Sequence, residues 1–361
     1  MWRLVLLALL AAGCTTLPRA SGTPNAPLPR PPIDAALAPA PVPREAFVVT
    51  PEAPTVEDSF ILDLYTWLKG SDYDSFRVEF PGVDGAPARA HLLLPPGPGP
   101  HPAVIVFPIR GGSHVVSEAV AKALVERGYA AAHLERRPLF PRKETQVDFA
   151  VTAGRLRSQL LNGRRFLDWL AADPRIDPER LAAAGVSLGG MLAATLMGID
   201  DRIKAGFFIM AGGGLPEIIH DSADGRLRWF RERARDATGL ETRDAFVTEL
   251  RSFVEDVDPL TWAPRIDPDR ALLVSARFDR VVPGERTRVL WEAMGRPTWV
   301  RVPSGHYEIL PFFWWSVGRG ADLLDRVFAE TPAVEPAADD APVLETAAGG
   351  QVRAGAAGPA R

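Results

Sequence analysis

The order of apolar and polar positions divides the chain into elements. From Asp74, DSFRVEF and ARAHLLLPP alternate apolar and polar residues on either side of PGVDGAP, which predicts an antiparallel hairpin with one face buried. Next, PAVIVF carries no polar residue. Ala103 to Phe107 therefore reads as a central parallel strand, breaking at Pro108 into a glycine-containing loop that runs to Ser113. The spacing in VSEAVAKALVERG predicts a helix stopped by Gly128, with a strand from Tyr129 to about Leu134. The unit then recurs. Phe149 to Ala172 is a long amphipathic helix, Leu181 to Val186 a strand, and LGGMLAATLMG a helix starting directly after Ser187. RIKAGFFIMAGG, ALLVSARFD and TWVRVPSGH supply three more strands, with the helical GERTRVLWEAMG between the last two. Strands alternating with helices imply a mostly parallel sheet covered on both faces, an α/β architecture. Leu215 to about Ala263 is helical, charged and tryptophan-bearing with no strand, which reads as a cap inserted after a strand. No repeat of 20 to 50 residues is present.

The two ends have a different texture. Arg3 precedes an apolar run from Leu4 to Ala12, too short to span a bilayer and of the length of a secretory signal core. It closes in Leu10-Ala11-Ala12-Gly13-Cys14, which resembles the lipobox of bacterial lipoproteins, although Ala occupies the third position before the cysteine and Leu10 sits one place further upstream. That resemblance implies a signal peptide over 1–13 and acyl chains on Cys14, the only cysteine of the chain. It also implies a location in the cell envelope, with Thr15 after the cysteine favouring the outer membrane; a plain signal peptide or a short buried helix is the alternative. Residues 14–45, dense in Pro and Ala, read as an extended tether. Residues 331–361 read as a disordered tail. Between them, 46–330 is long enough for one α/β domain with a cap at about 213–263. The formal charge of −4 argues against a nucleic-acid surface.

The chemistry-bearing motif is Gly185-Val186-Ser187-Leu188-Gly189, placed where a strand becomes a helix. Such a turn forces its central residue into a strained conformation, and flanking glycines remove the side chains that would clash there. The serine hydroxyl then stands at a helix N-terminus, where the Leu188 N–H faces developing negative charge. Serine alone is a weak nucleophile and needs a base held by a third group. His306, in PSGHYE after the last strand, is the candidate base, and Asp279, just past an apolar strand in LLVSARFDRVVP, the candidate acid. Each has a plainer reading: Ser187 as a polar residue in a glycine turn, Asp279 as a turn or capping residue, His306 as a loop histidine satisfied by backbone.

With these segments in view, the chain resembles the α/β-hydrolase superfamily, nearest to its dienelactone-hydrolase and acyl-esterase branches. The resemblance rests on VIVFPIRGGSH, RRFLDWLAADPRIDPERLAAAGVSLGG, LLVSARFDRVVP and PSGHYE, roughly Ala103 to Phe328. It implies Ser187 as nucleophile, His306 as base, Asp279 as orienting acid and the Leu188 N–H as one oxyanion donor. Many relatives carry His-Gly where this chain has Pro108-Ile109, so the second donor is Ile109 or, next, Arg110. Arg110 is otherwise a solvated loop charge or a pocket residue that selects an anion. The run Phe312-Phe313-Trp314-Trp315 is core packing of the last helix or, through Trp314 and Trp315, a substrate-pocket wall. The resemblance implies hydrolysis of carboxylic esters of small molecules without metal or cofactor. Peptidase, lipase or thioesterase activity on the same scaffold is the alternative within enzymes, and a non-catalytic, surface-anchored binding lipoprotein the alternative outside them.

Overall fold

The computed structural model describes residues 15–17, 32, 37–52, 72–111, 114–135, 139–140 and 147–331. Ten strands form one sheet among these residues: β1 (Thr15–Leu17), β2 (Val48–Glu52), β3 (Asp74–Pro81), β4 (Pro87–Leu94), β5 (His101–Phe107), β6 (Ala130–Leu134), β7 (Ile176–Val186), β8 (Ile203–Ile209), β9 (Ala271–Ala276) and β10 (Thr298–Val302). Their order across the sheet is β1-β10-β9-β8-β7-β5-β6-β4-β3-β2. Strands β5 to β10 pair in parallel, and β1 and β2 to β4 antiparallel.

The two-residue period of the central strands feeds two separate cores. On β5, Ala103, Ile105 and Phe107 face one cluster, which also holds Leu160 and Phe166 of α2 (Phe149–Ala171) and Leu192 of α3 (Leu188–Ile199). Val104 and Val106 face the other, with Val120 of α1 (Val115–Val125) and Leu324 of the last helix, Leu310–Ala329. This is why Ala103 to Phe107 contains no polar residue: both of its faces are covered. Strand β7 runs further back than its apolar part because Asp177-Pro178-Glu179-Arg180 continue it beside β5, across a register shift.

Between β8 and β9 the chain forms α4 (Leu215–Asp221), α5 (Gly225–Thr238), α6 (Arg243–Val254) and α7 (Pro259–Trp262). Polar caps hold these short helices. Asp224 accepts from the N–H groups of Arg226 and Leu227, and Thr242 from that of Ala245. Asp258 is buried and accepts from Gly214, Leu215 and Leu260 N–H, so one carboxylate ties the entry of this insertion to its exit. Burial raises the pKa of Asp258, and those three N–H donors oppose the shift. After β9 come α8 (Gly284–Ala293), β10 and α9 (Leu310–Ala329).

The tether expectation needs correction within the described part of 14–45. Leu37 is buried, Arg165 donates to the Ala40 carbonyl at 3.2 Å and to that of Pro81 at 2.6 Å, and Arg164 donates to the Leu37 carbonyl. Residues 15–17 pair with β10, Thr15 opposite Arg301. Edge pairing uses backbone groups and needs no apolar side chain, so a Pro/Ala-rich composition does not disclose it. Cys14, the 1–13 signal and the tail beyond Thr331 lie outside the described residues.

Helix α9 closes on the sheet at Gly320, where a Cβ would lie 2.6 to 2.7 Å from the Cδ atoms of Phe207 on β8. Alanine gains about 1 kcal/mol of helix propensity over glycine, whereas overfilling a packed core costs about 1–3 kcal/mol. Gly320→Ala is therefore expected to lower the urea midpoint, and an unchanged or raised midpoint would mean that Phe207 can move aside.

Candidate active site

Strand β7 lies between β5 and β8 and delivers Ser187 to the sheet edge at φ 56° and ψ −123°, outside the regions a side chain readily adopts. The Ser187 N–H donates to the Ile209 carbonyl at 2.8 Å, which fixes the turn from the β8 side. A Cβ on Gly189 would lie 2.9 Å from the Phe107 carbonyl carbon and closer still to its oxygen, and one on Gly185 would lie 2.7 Å from Gly190 N. The glycines are thus required by backbone packed on backbone. Ser187 occupies the N-cap position of α3, yet its hydroxyl makes no capping bond.

That hydroxyl meets His306 instead. His306 Nε2 stands 3.1 Å from Ser187 Oγ, and His306 Nδ1 stands 2.7 Å from Asp279 Oδ2. With Nδ1–H donating to the carboxylate, Nε2 is left to accept from the serine O–H. The other Asp279 oxygen accepts from the N–H groups of Val281 and Val282, each at 2.8 Å. The carboxylate therefore serves as the turn residue of its plainer reading with one oxygen while holding the imidazole with the other. Both side chains are nearly sealed from solvent, His306 at 8% exposed and Asp279 at 2%.

The remaining residues singled out from sequence divide. Leu188 opens α3 beside Ser187, and Ile109 and Arg110 follow β5 in the loop facing it. Both loop residues line a cavity of about 400 Å³ that also contains Ser187, His306, Phe313 and Trp314. Trp315 is corrected: it packs against the core on the α1 side of the sheet and is absent from the cavity wall. A helix turns about 100° per residue, so Phe313 and Trp314 reach the cavity while Trp315, one step further round, turns away from it. A second, smaller space of about 40 Å³ lies under the insertion, bordered by Ser187, Leu188, Met191 and Ile219.

Arg110 is not a solvated charge. Its guanidinium meets Asp224 Oδ1 at 2.9 Å, and Tyr307 donates its hydroxyl to Asp224 Oδ2 at 2.5 Å. One carboxylate on the inserted helices thus joins the loop after β5 to the loop that carries His306, while it also caps α5. Burial raises the Asp224 pKa, but Tyr307, the Leu227 and Arg226 N–H groups and Arg110 together hold it below its ordinary value. Burial and the bond to Asp224 push the Tyr307 phenol up. Sequence reasoning missed Asp224 and Tyr307; the only signal was an aspartate before a helix, which reads as a cap.

No protein-family model matches the chain. A curated relative, the uncharacterized protein YdjC of Bacillus subtilis (strain 168), is 32% identical over 71 residues, which are 20% of this chain and 61% of that protein. The chain thus matches less than two thirds of that relative's length. Among solved structures, acetyl xylan esterase 1 from Thermoanaerobacterium sp. JW/SL YS485 is similar at a TM-score of 0.59 and 18% identity, over 76% of this chain and 87% of that one. An acetyl xylan esterase from Paenibacillus sp. R4 is similar at 0.57 and 19%, over 76% and 88%. The acylaminoacyl peptidase of Pyrococcus horikoshii is similar at 0.55 and 15%, over 77% of this chain and 44% of that one. The chain has the α/β-hydrolase fold.

A depressed carboxylate pKa adds stability above the unfolded value, about 3.9 for aspartate, and that addition is lost as pH falls through the folded value. Asn caps a helix as well as Asp but brings no negative charge to Arg110. Asp224→Asn is therefore expected to be less stable than the wild type near pH 7, with the difference shrinking as pH falls below about 4. Paired thermal melts across pH check this, and a difference that grows on acidification would contradict it.

Proposed function

We propose that the protein is a serine hydrolase that cleaves carboxylic esters. The observation that carries this reading is the relay Ser187–His306–Asp279, with distances of 3.1 and 2.7 Å, at a strained strand-to-helix turn. His306 takes the proton of Ser187 as its oxygen attacks the acyl carbon. Asp279 keeps the imidazole in the working tautomer and stabilises the imidazolium. The oxyanion forms at the start of α3, against the Leu188 N–H and a second N–H from the loop after β5, where Ile109 is the first choice and Arg110 the second. His306 then hands its proton to the leaving alcohol, and water repeats the sequence to release the acid. The similar structures include two acetyl xylan esterases and an acylaminoacyl peptidase, which supports the reading as a hydrolase.

A fluorophosphonate probe is expected to label the wild type and not Ser187→Ala. Asp279→Asn is expected to lower kcat on p-nitrophenyl acetate by about 10⁴, the scale of losing the tautomer-holding carboxylate in such relays. A wild type that does not label would sink the reading, and full activity in Asp279→Asn would move the acid elsewhere.

We further propose that the chain is held at the cell envelope by lipid on Cys14, a reading supported by the apolar run before it and by its being the only cysteine. Labelled palmitate fed to cells is expected to enter the wild type and not Cys14→Ser. Incorporation that persists in the variant would reject this anchor.

A further inference from the structure

Two cavities meet at Ser187, and they differ tenfold in size: about 400 Å³ on the His306 side and about 40 Å³ under the inserted helices. Granting the hydrolase reading, the two halves of an ester cannot be exchanged between them. The leaving oxygen must take its proton from His306 Nε2, within about 2.6–3.2 Å, so the alcohol lies on the side that His306 lines. His306 and Tyr307 wall the large cavity and are absent from the small one. The acyl remainder is left with the small space, walled by Leu188, Met191, Leu215, Ile219 and Val282. At roughly 10–15 Å³ for each water-sized group, that space takes about three such groups, the size of an acetyl or propionyl unit.

The chemistry of the large cavity narrows the alcohol. Val115, Val116, Leu310, Phe313 and Trp314 form an apolar wall, with Tyr307 and Leu310 at 63% and 54% exposed on its rim. Among the described residues, Arg110 is the one permanently charged side chain on the lining of either space, and Asp224 at 2.9 Å compensates it. The volume falls within the usual range for sites that hold drug-sized molecules, roughly 300–1,000 Å³. We propose that the substrate is a short-chain acyl ester, acetate or propionate, of a bulky, uncharged, apolar alcohol such as an aryl-alkyl alcohol.

The test uses the purified full-length protein and compares kcat/KM for 2-naphthylmethyl acetate, 2-naphthylmethyl octanoate, ethyl acetate, methyl octanoate and glucose pentaacetate. Labelling of Ser187 by the fluorophosphonate probe is scored separately. The first ester is expected to exceed each of the others at least tenfold, since a single mismatched methylene is worth about 10–200-fold. Either octanoate matching it would overturn the acyl assignment. Ethyl acetate or glucose pentaacetate matching it would overturn the apolar-alcohol assignment. Labelling with either of those profiles defeats this proposal and leaves the hydrolase reading intact, whereas absence of labelling defeats both. Ile219→Ala, or the milder Ile219→Val should the first not fold, is expected to raise the butanoate-to-acetate ratio of 2-naphthylmethyl esters several-fold. A ratio unchanged in a folded variant would remove the small space from the acyl role.

Discussion

The structure depends on one backbone constraint, the turn at Ser187. A non-glycine residue at φ 56° and ψ −123° costs on the order of 1–3 kcal/mol and persists only where its surroundings leave no alternative. Here β7 is paired on both sides, the Ser187 N–H is bound to Ile209, and every residue of α3 from Leu188 to Ile199 is buried. Relaxing the turn would rotate α3 and drive it into Phe107, because Gly189 already touches that carbonyl without a side chain. The sheet and the helix together hold the hydroxyl where neither would hold it alone.

The partners of that hydroxyl arrive from loops, which have more freedom than the sheet. The loop after β9 is stiffened by the two N–H bonds to Asp279, and the loop after β10 by the His306–Asp279 contact. The inserted helices add a further tie through Asp224, which meets Arg110 and Tyr307 together. The insertion is itself anchored where Asp258 joins its ends and where Thr195 on α3 donates to the Val257 carbonyl at 3.0 Å. A disturbance of this segment should therefore reach His306 without any contact between them.

Local pattern revealed what local physics decides. The hairpin, the buried strand at Ala103 to Phe107 and the strand-serine-helix junction each follow from periodicity and glycine placement, and Asp279 and His306 were found by their position after apolar strands. What escaped depends on long-range geometry. The pairing of Thr15–Leu17 with β10 is a backbone event with no side-chain signature. The burial of Leu37 follows from Arg164 and Arg165, more than 120 residues away. Which of Trp314 and Trp315 faces the cavity is set by the rotation of α9, which the clustering of aromatics in the sequence cannot reveal. The Asp224 cluster joins three segments that are remote in the chain, and each member has an ordinary local explanation.

The pairing of Arg110 with Asp224 also bears on how the site would stabilise charge. A free guanidinium at the cavity wall would attract the tetrahedral oxyanion, but it would attract the product carboxylate as well. Binding that is equally strong for transition state and product does not speed turnover and slows release. In the proposed mechanism, backbone N–H groups fixed at the start of α3 would favour charge that develops beside them over charge that diffuses in. With Asp224 compensating Arg110, the proposed hydrolysis would draw its selectivity for the transition state from such fixed dipoles, and the arginine serves as a tie between loops. Among the described lining residues, that pairing compensates the one permanent charge, which suits the uncharged alcohol proposed above.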